Sequence, residues 1–410
     1  MKLAAIPAVV ILFLIFLLQP QQKPFGFSVG PSLPPGKVEP QLVKKWDVGI
    51  LLAPDGSLWC WGDPILPTAS QMKEPAVTPQ RIYSSADWRR VAGSHTHALA
   101  VKTDGSLWGW GFNGSGAAAQ APPRERVTEP TRIGTDTDWT QIAVGAGHCL
   151  ALKRDGSLWA WGQNEHGQVG DGTTSNQFKA TRIGSGHDWR TIAAGDFESF
   201  ALKADGTLWA WGLAAARGGR DDDLSPRQID SSGNIAAISA NDYILLALRS
   251  DGTVWIRGLN AQATASAYFS GPTSALVRIG KDSDWKEAYA GTRFFFARKR
   301  NGSWWVCGGC KGTTPAIASP RRLPLNFEPC ALAPGFGSAL LLTKDGALWT
   351  LTIRPDASKF AAGLTKVKAL LNQLAGFLPG APQPFNLKEF RIDPTPQKLW
   401  ELPGNRHSDG

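Results

Sequence analysis

The chain has no phosphate-binding loop of the form Gly-x-x-x-x-Gly-Lys-Ser/Thr and no Gly-x-Ser-x-Gly elbow between a strand and a helix. Walker-type nucleotide hydrolysis and serine hydrolase chemistry therefore lack their usual scaffolds; the nearest stretch, Asn113-Gly114-Ser115-Gly116, is a loop after a strand. Cysteine is scarce and odd in number, at five. Cys307-Gly308-Gly309-Cys310 is a lone Cys-x-x-Cys, with no second pair to complete a zinc site and no βαβ context for thioredoxin-like exchange. In an oxidising compartment Cys307 and Cys310 are candidates for a local disulfide, or one of them for a link to Cys330. Cys60 and Cys149 fall within strands and read as small core residues. Long basic runs are also missing. A formal charge of +9 over 410 residues is mild, and Arg89-Arg90 and Arg298-Lys299-Arg300 are short, so the clustered basic face that nucleic acid requires is not expected. Asp221-Asp222-Asp223 reads as a solvated loop rather than a cation site. No catalytic, metal or cofactor-binding residue is assigned, no cofactor is implied, and a non-enzyme is expected.

What the chain does have is a repeat. Asp-Gly or Asn-Gly recurs seven times, at Asp55, Asp104, Asp155, Asp205, Asp251, Asn301 and Asp345, with starts 44 to 51 residues apart. Each is followed by a short strand carrying Trp59, Trp108, Trp159, Trp209, Trp255, Trp305 or Trp349. Such dipeptides between apolar runs signal a hairpin, expected as a type I′ turn with positive φ at both central residues. In the third copy, Trp159 and Trp161 share one strand face while Leu158 and Ala160 share the other. Neither face is polar, so the sheet is sandwiched between neighbours.

Further strands recur upstream, as Asp87-Trp88, Asp138-Trp139, Asp188-Trp189 and Asp284-Trp285, each preceded by an Arg-Ile pair at Arg81, Arg132, Arg182 and Arg278. Degraded versions stand at Arg227-Gln228-Ile229 and Arg322-Leu323. About four strands per unit, repeated radially and without helices, define a β-propeller; a linear solenoid has shorter units and needs caps. The first hairpin lacks the preceding strands, and Arg391-Ile392 with Trp400 supply similar pieces near the other end. The expectation is an all-β, seven-bladed propeller whose first blade borrows a strand from the C-terminal residues, leaving no open edge. Gly 45, Trp 18 and only 4 Tyr suit tight turns with Trp wedges between blades.

The third copy reads Trp161-Gly162-Gln163-Asn164-Glu165-His166-Gly167-Gln168-Val169-Gly170-Asp171-Gly172, then Arg182-Ile183 and Ala194-Gly195. It resembles the repeat of the regulator of chromosome condensation family, Trp-Gly-x-Asn-x-x-Gly-Gln-Leu-Gly-x-Gly. The second copy matches well through Trp110-Gly111-Phe112-Asn113-Gly114, and only a skeleton survives in the fifth to seventh. The resemblance covers about residues 41 to 403 and implies a seven-bladed propeller. It does not imply one function: the family includes a nucleotide exchange factor for a small GTPase on chromatin, bacterial secreted inhibitors of β-lactamase, and bacterial proteins with no assigned role. A bacterial origin is expected. His97 and His148, both seven residues before their Asp-Gly turns, occupy a position where the family often has a structural His facing the narrow end of the ring. His95 is expected in the turn before that strand.

The N-terminal part differs. Leu3 to Leu18 is uncharged and apolar, which fits a signal anchor or a signal peptide in residues 1–20. No clear cleavage site follows; residues 21–40 form a Pro-rich linker. The propeller then spans 41–403 and a tail 404–410. From Asp345 to Arg391 is 46 residues, against 21 to 28 elsewhere. That stretch carries Leu364, Val367, Leu370, Leu371, Leu374, Phe377 and Leu378 at helical spacing, predicting an amphipathic helix inserted at about 360–380 in the last blade.

The functional expectation is a non-catalytic binding scaffold, a monomer held by residues 3–18 in the membrane and facing outside the cytoplasm, with secretion or periplasmic release after cleavage as the alternative. It would recognise a protein partner through loops on one face, with Phe112, Asn113, Gln163, Asn164, Glu165, His166 and Phe178 as contacts. The alternatives are a secreted enzyme inhibitor resembling propeller-type β-lactamase inhibitors, or a guanine nucleotide exchange factor-like regulator of a small GTPase.

Overall fold

Asp155 shows why each copy folds as it does. Its Oδ1 accepts hydrogen bonds from the backbone N–H and the hydroxyl of Ser157, at 2.9 and 2.6 Å, and the Ser157 hydroxyl accepts the indole N–H of Trp159 at 2.9 Å. The same Asp-Ser/Thr-Trp chain is built at 55/57/59, 104/106/108, 205/207/209 and 251/253/255, and with Asn at 301/303/305. The turn itself is not type I′. Only the glycine has positive φ, for example +77° at Gly156, and Gly156 N donates to Lys153 O while Lys153 N donates to Ser157 O. This is a type I turn closed by a left-handed glycine, the usual three-residue hairpin loop.

The computed structural model describes residues 36–45, 48–62, 76–118, 126–213, 222–242, 244–258, 273–292, 294–308, 317–323, 325, 327–335, 338–344, 346–352 and 397–400. Among them are seven four-stranded antiparallel sheets, each with its strands in chain order, and no helix. The protein is a seven-bladed β-propeller. Blade 3, for instance, runs Trp139–Val144, His148–Lys153, Leu158–Gly162 and Gln177–Arg182 from the channel outwards. The seven first strands touch in sequence around the channel, and Gln41–Lys45 meets Pro329–Pro334 to complete the circle.

The alternation expected for each strand is present. Cys149, Ala151 and Trp161 pack with Leu99, Val101 and Leu107 of blade 2, whereas Leu150, Leu152, Leu158 and Ala160 pack with Ala201 and Trp211 of blade 4. Four blades carry a further stack: Lys102, Lys153, Lys203 and Lys299 each lie 4.6 to 4.9 Å from two tryptophan ring centroids. Each also pairs with the aspartate preceding the Trp strand, at 3.0 to 3.3 Å. Burial pulls Lys153 and Lys299 towards neutrality, but the aspartates outweigh it and raise both.

Closure differs from the sequence expectation. Blade 1 draws all four strands from residues 41–82, with Gln41–Lys45 innermost. The last strand, Gln397–Trp400, instead completes blade 7 by pairing with Leu348–Thr352, so Trp400 belongs to the sheet of Trp349 and not to that of Trp59. Arg81, Arg132, Arg182, Arg278 and Arg322 stand across from the tryptophan of their turn, and Lys398 holds that register opposite Trp349. Arg391-Ile392, the inserted helix at about 360–380, the apolar helix of residues 1–20 and the linker to residue 35 lie outside the described residues. Among the described residues no helix is long and apolar enough to cross a membrane.

Candidate partner-binding face

Because strands alternate in direction, the connections separate onto two faces. The Asp-Gly hairpins and the links between blades lie on one, here the turn face. The short turns from first to second strand, and the longer loops from third to fourth, lie on the other, here the loop face.

The loop-face loops of blades 2 and 3 are held by buried asparagines. Asn164 Oδ1 accepts from Val169 N at 2.9 Å, and its Nδ2 donates to Thr173 O and Ser175 O at 2.9 and 3.0 Å. Asn113 Oδ1 likewise accepts from Ala118 N at 2.9 Å. The loops so formed present carbonyls to the next blade: Trp161 Nε1 donates to Ala117 O at 3.0 Å and Trp211 Nε1 to Gln168 O at 2.9 Å. Gly170 has φ +86°, and a Cβ there would sit 2.6 Å from Trp211 Nε1. The motif Trp-Gly-x-Asn-x-x-Gly-Gln-x-Gly thus encodes a rivet between blades. Asn113 and Asn164, expected as contact residues, have no accessible surface and hold the loops instead.

The histidines extend the same logic inward. His97 Nε2 lies 3.1 Å from Cys149 Sγ of blade 3, and His148 Nε2 lies 2.9 Å from Ser199 Oγ of blade 4. Burial drives their pKa values down, to about 3 for His97 and about 4 for His148, so both are neutral structural groups. Among the described residues no group of three or more His, Cys, Asp or Glu is placed to hold a metal.

The other expected contacts remain at the surface. Phe112 is 43% exposed and Phe178 37%, the only large hydrophobics so exposed among the described residues. Both overlie one loop: a Cβ on Gly114 would meet the Phe112 ring, and one on Gly116 would meet Phe178. Phe112, Gln163 and Glu165 line a depression of about 480 Å³ together with His95, Thr96 and Phe197. His166 stands apart, its Nδ1 2.9 Å from Asp222 Oδ2 and its ring edge-on to Phe197 at 5.5 Å.

Sequence reasoning missed the channel mouth beside this depression. Lys45 of blade 1 reaches Asp242 Oδ1 of blade 5 at 3.2 Å and bonds Asn241 Oδ1 as well. Asp242 has φ +47° and its carbonyl accepts Asp196 N at 2.7 Å. Burial, then the Asp242 carboxylate, raise Asp196 to about 6 against the pull of Lys45. Burial and Lys45 lower His95, which Asp242 opposes. These residues sit in first-to-second strand turns, which the repeat leaves variable, so no pattern marked them.

Cys307 is buried among Ile244, Leu246 and Phe295, and burial pushes its thiol up to about 12. Cys310, its expected partner, lies outside the described residues.

A ring of four-stranded wedges, riveted by loop-face carbonyls between blades 2, 3 and 4, is a repeat β-propeller. Two of its blades match the repeat of the regulator of chromosome condensation family: the model of the Regulator of chromosome condensation (RCC1) repeat matches residues 104–152 and 155–202, and a second model of that repeat matches 139–168. Among curated proteins, human E3 ubiquitin-protein ligase HERC2 is 38% identical over 85 residues, 19% of this chain and 2% of that protein. The Ultraviolet-B receptor UVR8 of Arabidopsis thaliana is 30% identical over 84 residues, 20% of this chain and 19% of its own. The match thus spans less than a fifth of the length of these relatives. Of solved structures, human WBSCR16 is similar with a TM-score of 0.60 at 18% identity, covering 68% of this chain and 81% of its own. Prp20p of Saccharomyces cerevisiae has a TM-score of 0.60 at 18% identity, with 72% and 80% covered. At such identity these structures share the fold.

Proposed function

We propose that this propeller is a non-catalytic, protein-binding scaffold whose partner docks on the loop face over blades 2 to 4. The observation that carries this reading is the pair Phe112 and Phe178: two exposed aromatic rings, one from blade 2 and one from blade 3, packed over one riveted loop beside a depression edged by Gln163 and Glu165. Rigid aromatic anchors next to a concave surface are what a binding hot spot requires. Loops on a stiff scaffold keep that geometry without ordering cost.

The test is affinity capture with the full chain against Phe112→Ala/Phe178→Ala and Glu165→Lys. A specific partner is retained by the parent and lost by the double variant at unchanged thermal stability. Retention of the same proteins by both variants overturns the reading.

The uncharged run Leu3–Leu18 supports a membrane tether with the propeller outside the cytoplasm. Fractionation of the full chain beside a form lacking residues 1–20 tests it; equal recovery of both in the cytosol sinks the tether. Prp20p is described with binding properties to Gsp1p and histones, so a small-GTPase or chromatin partner is the second reading. The apolar run counts against it, since those partners are cytosolic or nuclear.

A further inference from the structure

The turn face holds a second feature, where blade 6 meets blade 7. A crevice of about 670 Å³ is lined there by Arg300, Trp304, Arg322, Leu323, Phe327 and Glu328. It opens where the repeat breaks. At four other blade links the residue after Ile adopts positive φ, at Tyr83 (64°), Gly134 (69°), Gly184 (66°) and Gly280 (63°). That turn lets the preceding arginine donate to the carbonyl three residues on: Arg81 to Ser84, Arg132 to Thr135, Arg182 to Ser185 and Arg278 to Lys281, at 2.8 to 3.2 Å. At the fifth Arg-bearing link the equivalent residue is Pro324, whose ring locks φ near −65°. Proline as a residue type excludes that positive φ, and among the described residues Arg322 is exposed and has no side-chain hydrogen bond or ion pair.

Two further departures shape the same crevice. Arg300 is exposed at the crevice edge and has no ion pair or side-chain hydrogen bond among the described residues, its Nη2 lying on the blade 5 side, 3.4 Å from where a Cβ on Gly252 would stand. Trp304 replaces the Leu or Val found in the other blades at Leu58, Leu107, Leu158, Leu208, Val254 and Leu348. It is 5% exposed, and its Nε1 has no partner among the described residues. Glu328, the only carboxylate at the rim among the lining residues, is already held by Arg298. Phe327 is fixed as a wall by stacking on Trp349, centroids 4.5 Å apart.

We propose that this crevice is a second binding site, for an acidic peptide segment of a partner protein that carries a bulky apolar side chain between its carboxylates. The Arg322 guanidinium presents paired N–H donors matched to a carboxylate, with Arg300 at the rim as a second positive charge, while the half-buried Phe327, backed by Trp304 and Leu323, receives the apolar group. The volume lies within the roughly 300–1,000 Å³ typical of ligand sites. The site is on the face opposite Phe112 and Phe178, so it does not depend on the loop-face reading.

The experiment uses the full chain and a fluorescein-labelled acetyl-Glu-Phe-Glu-Glu-amide, followed by fluorescence anisotropy. The parent binds it. Arg300→Glu/Arg322→Glu weakens binding about tenfold or more, because each contact is charge-assisted, at an unchanged melting temperature. Arg322→Gln, which keeps side-chain size, serves if the double variant does not fold, and weakens binding about threefold or more. Replacing the peptide Phe by Ala lowers affinity by a similar factor, and the Lys-Phe-Lys-Lys analogue does not bind. Phe112→Ala/Phe178→Ala leaves this binding intact, which separates the two sites. The proposal is overturned if the peptide does not bind, if the arginine variants bind it as the parent does, or if the Ala peptide binds equally. Full competition by inorganic phosphate alone would reveal a bare anion site and overturn it as well.

Discussion

Lys45 Nζ and Asp242 Oδ1 lie 3.2 Å apart across the central channel, joining blade 1 to blade 5. The side chains are 19% and 16% exposed, so the pair falls between the exposed and buried limits for ion pairs. Removing the cation also leaves Asp242 beside Asp196, two like charges. Lys45→Gln is therefore expected to cost about 1–3 kcal/mol in chemical denaturation. A midpoint unchanged from the parent would show the bridge to be idle.

Asp196 and the buried histidines give pH effects of opposite sign. Asp196 is raised in the folded state to about 6 from 3.8, so its contribution is full below pH 3.8 and is lost as pH rises through 6. Asp196→Asn should match the parent near pH 4 and exceed it in stability at pH 7.5. His97 and His148 are lowered to about 3 and 4. Their contribution is present above the unfolded value of 6.5 and drains away as pH falls towards 4. His148→Gln should flatten that acid limb. Thermal melts at half-unit pH steps check both, and parallel profiles for parent and variants would refute both assignments.

Blade 7 lacks one link of the turn chain found in the others. Ala347 stands where Ser or Thr bonds the indole, and Trp349 Nε1 is buried without a partner among the described residues. Ala347→Ser should add about 0.5–1.5 kcal/mol by supplying the hydroxyl, while Ser157→Ala in blade 3 should lose about 1–3 kcal/mol by orphaning Trp159. Opposite signs of shift in melting temperature are the outcome to look for; a loss at both positions would contradict the account.

Asn164→Ala removes the acceptor for Val169 N and the donors to Thr173 O and Ser175 O. It is expected to destabilise by about 2–3 kcal/mol and to change the near-ultraviolet signal of Trp211, whose indole relies on Gln168 O. Trp211→Phe should lose less in hydrogen bonding and leave the loop in place. Should Asn164→Ala prove neutral, the rivet is not what locks blades 3 and 4.

The blade count was legible because every blade must form the same turn, and Asp, Gly, Ser or Thr and Trp each have one job in it. The sandwiched faces were legible for the same reason, from strands apolar on both sides. Turn type was misread because Asp-Gly suits two geometries, and the serine hydroxyl that selects between them is two residues further on. Closure was misread because Arg391-Ile392 matches the pattern of the outer strand, whereas the register is kept by Lys398. At the loop face, Phe112, Gln163 and Glu165 came from their place in the motif. Asn113 and Asn164 came from the same place but serve the fold, a distinction only burial reveals. Lys45, Asp196 and Asp242 come from turns of blades 1, 4 and 5, and nothing local in the chain says that these meet.

The completion of blades 1 and 7 from their own ends has a mechanical consequence. Among the described residues no strand ladder spans the join between these two blades; there, Leu51 and Ala53 rest against Leu340 and Leu342. A contact made of side chains alone slides apart under load without first tearing a sheet, so pulling on opposite ends should part the circle at that line before any wedge unravels.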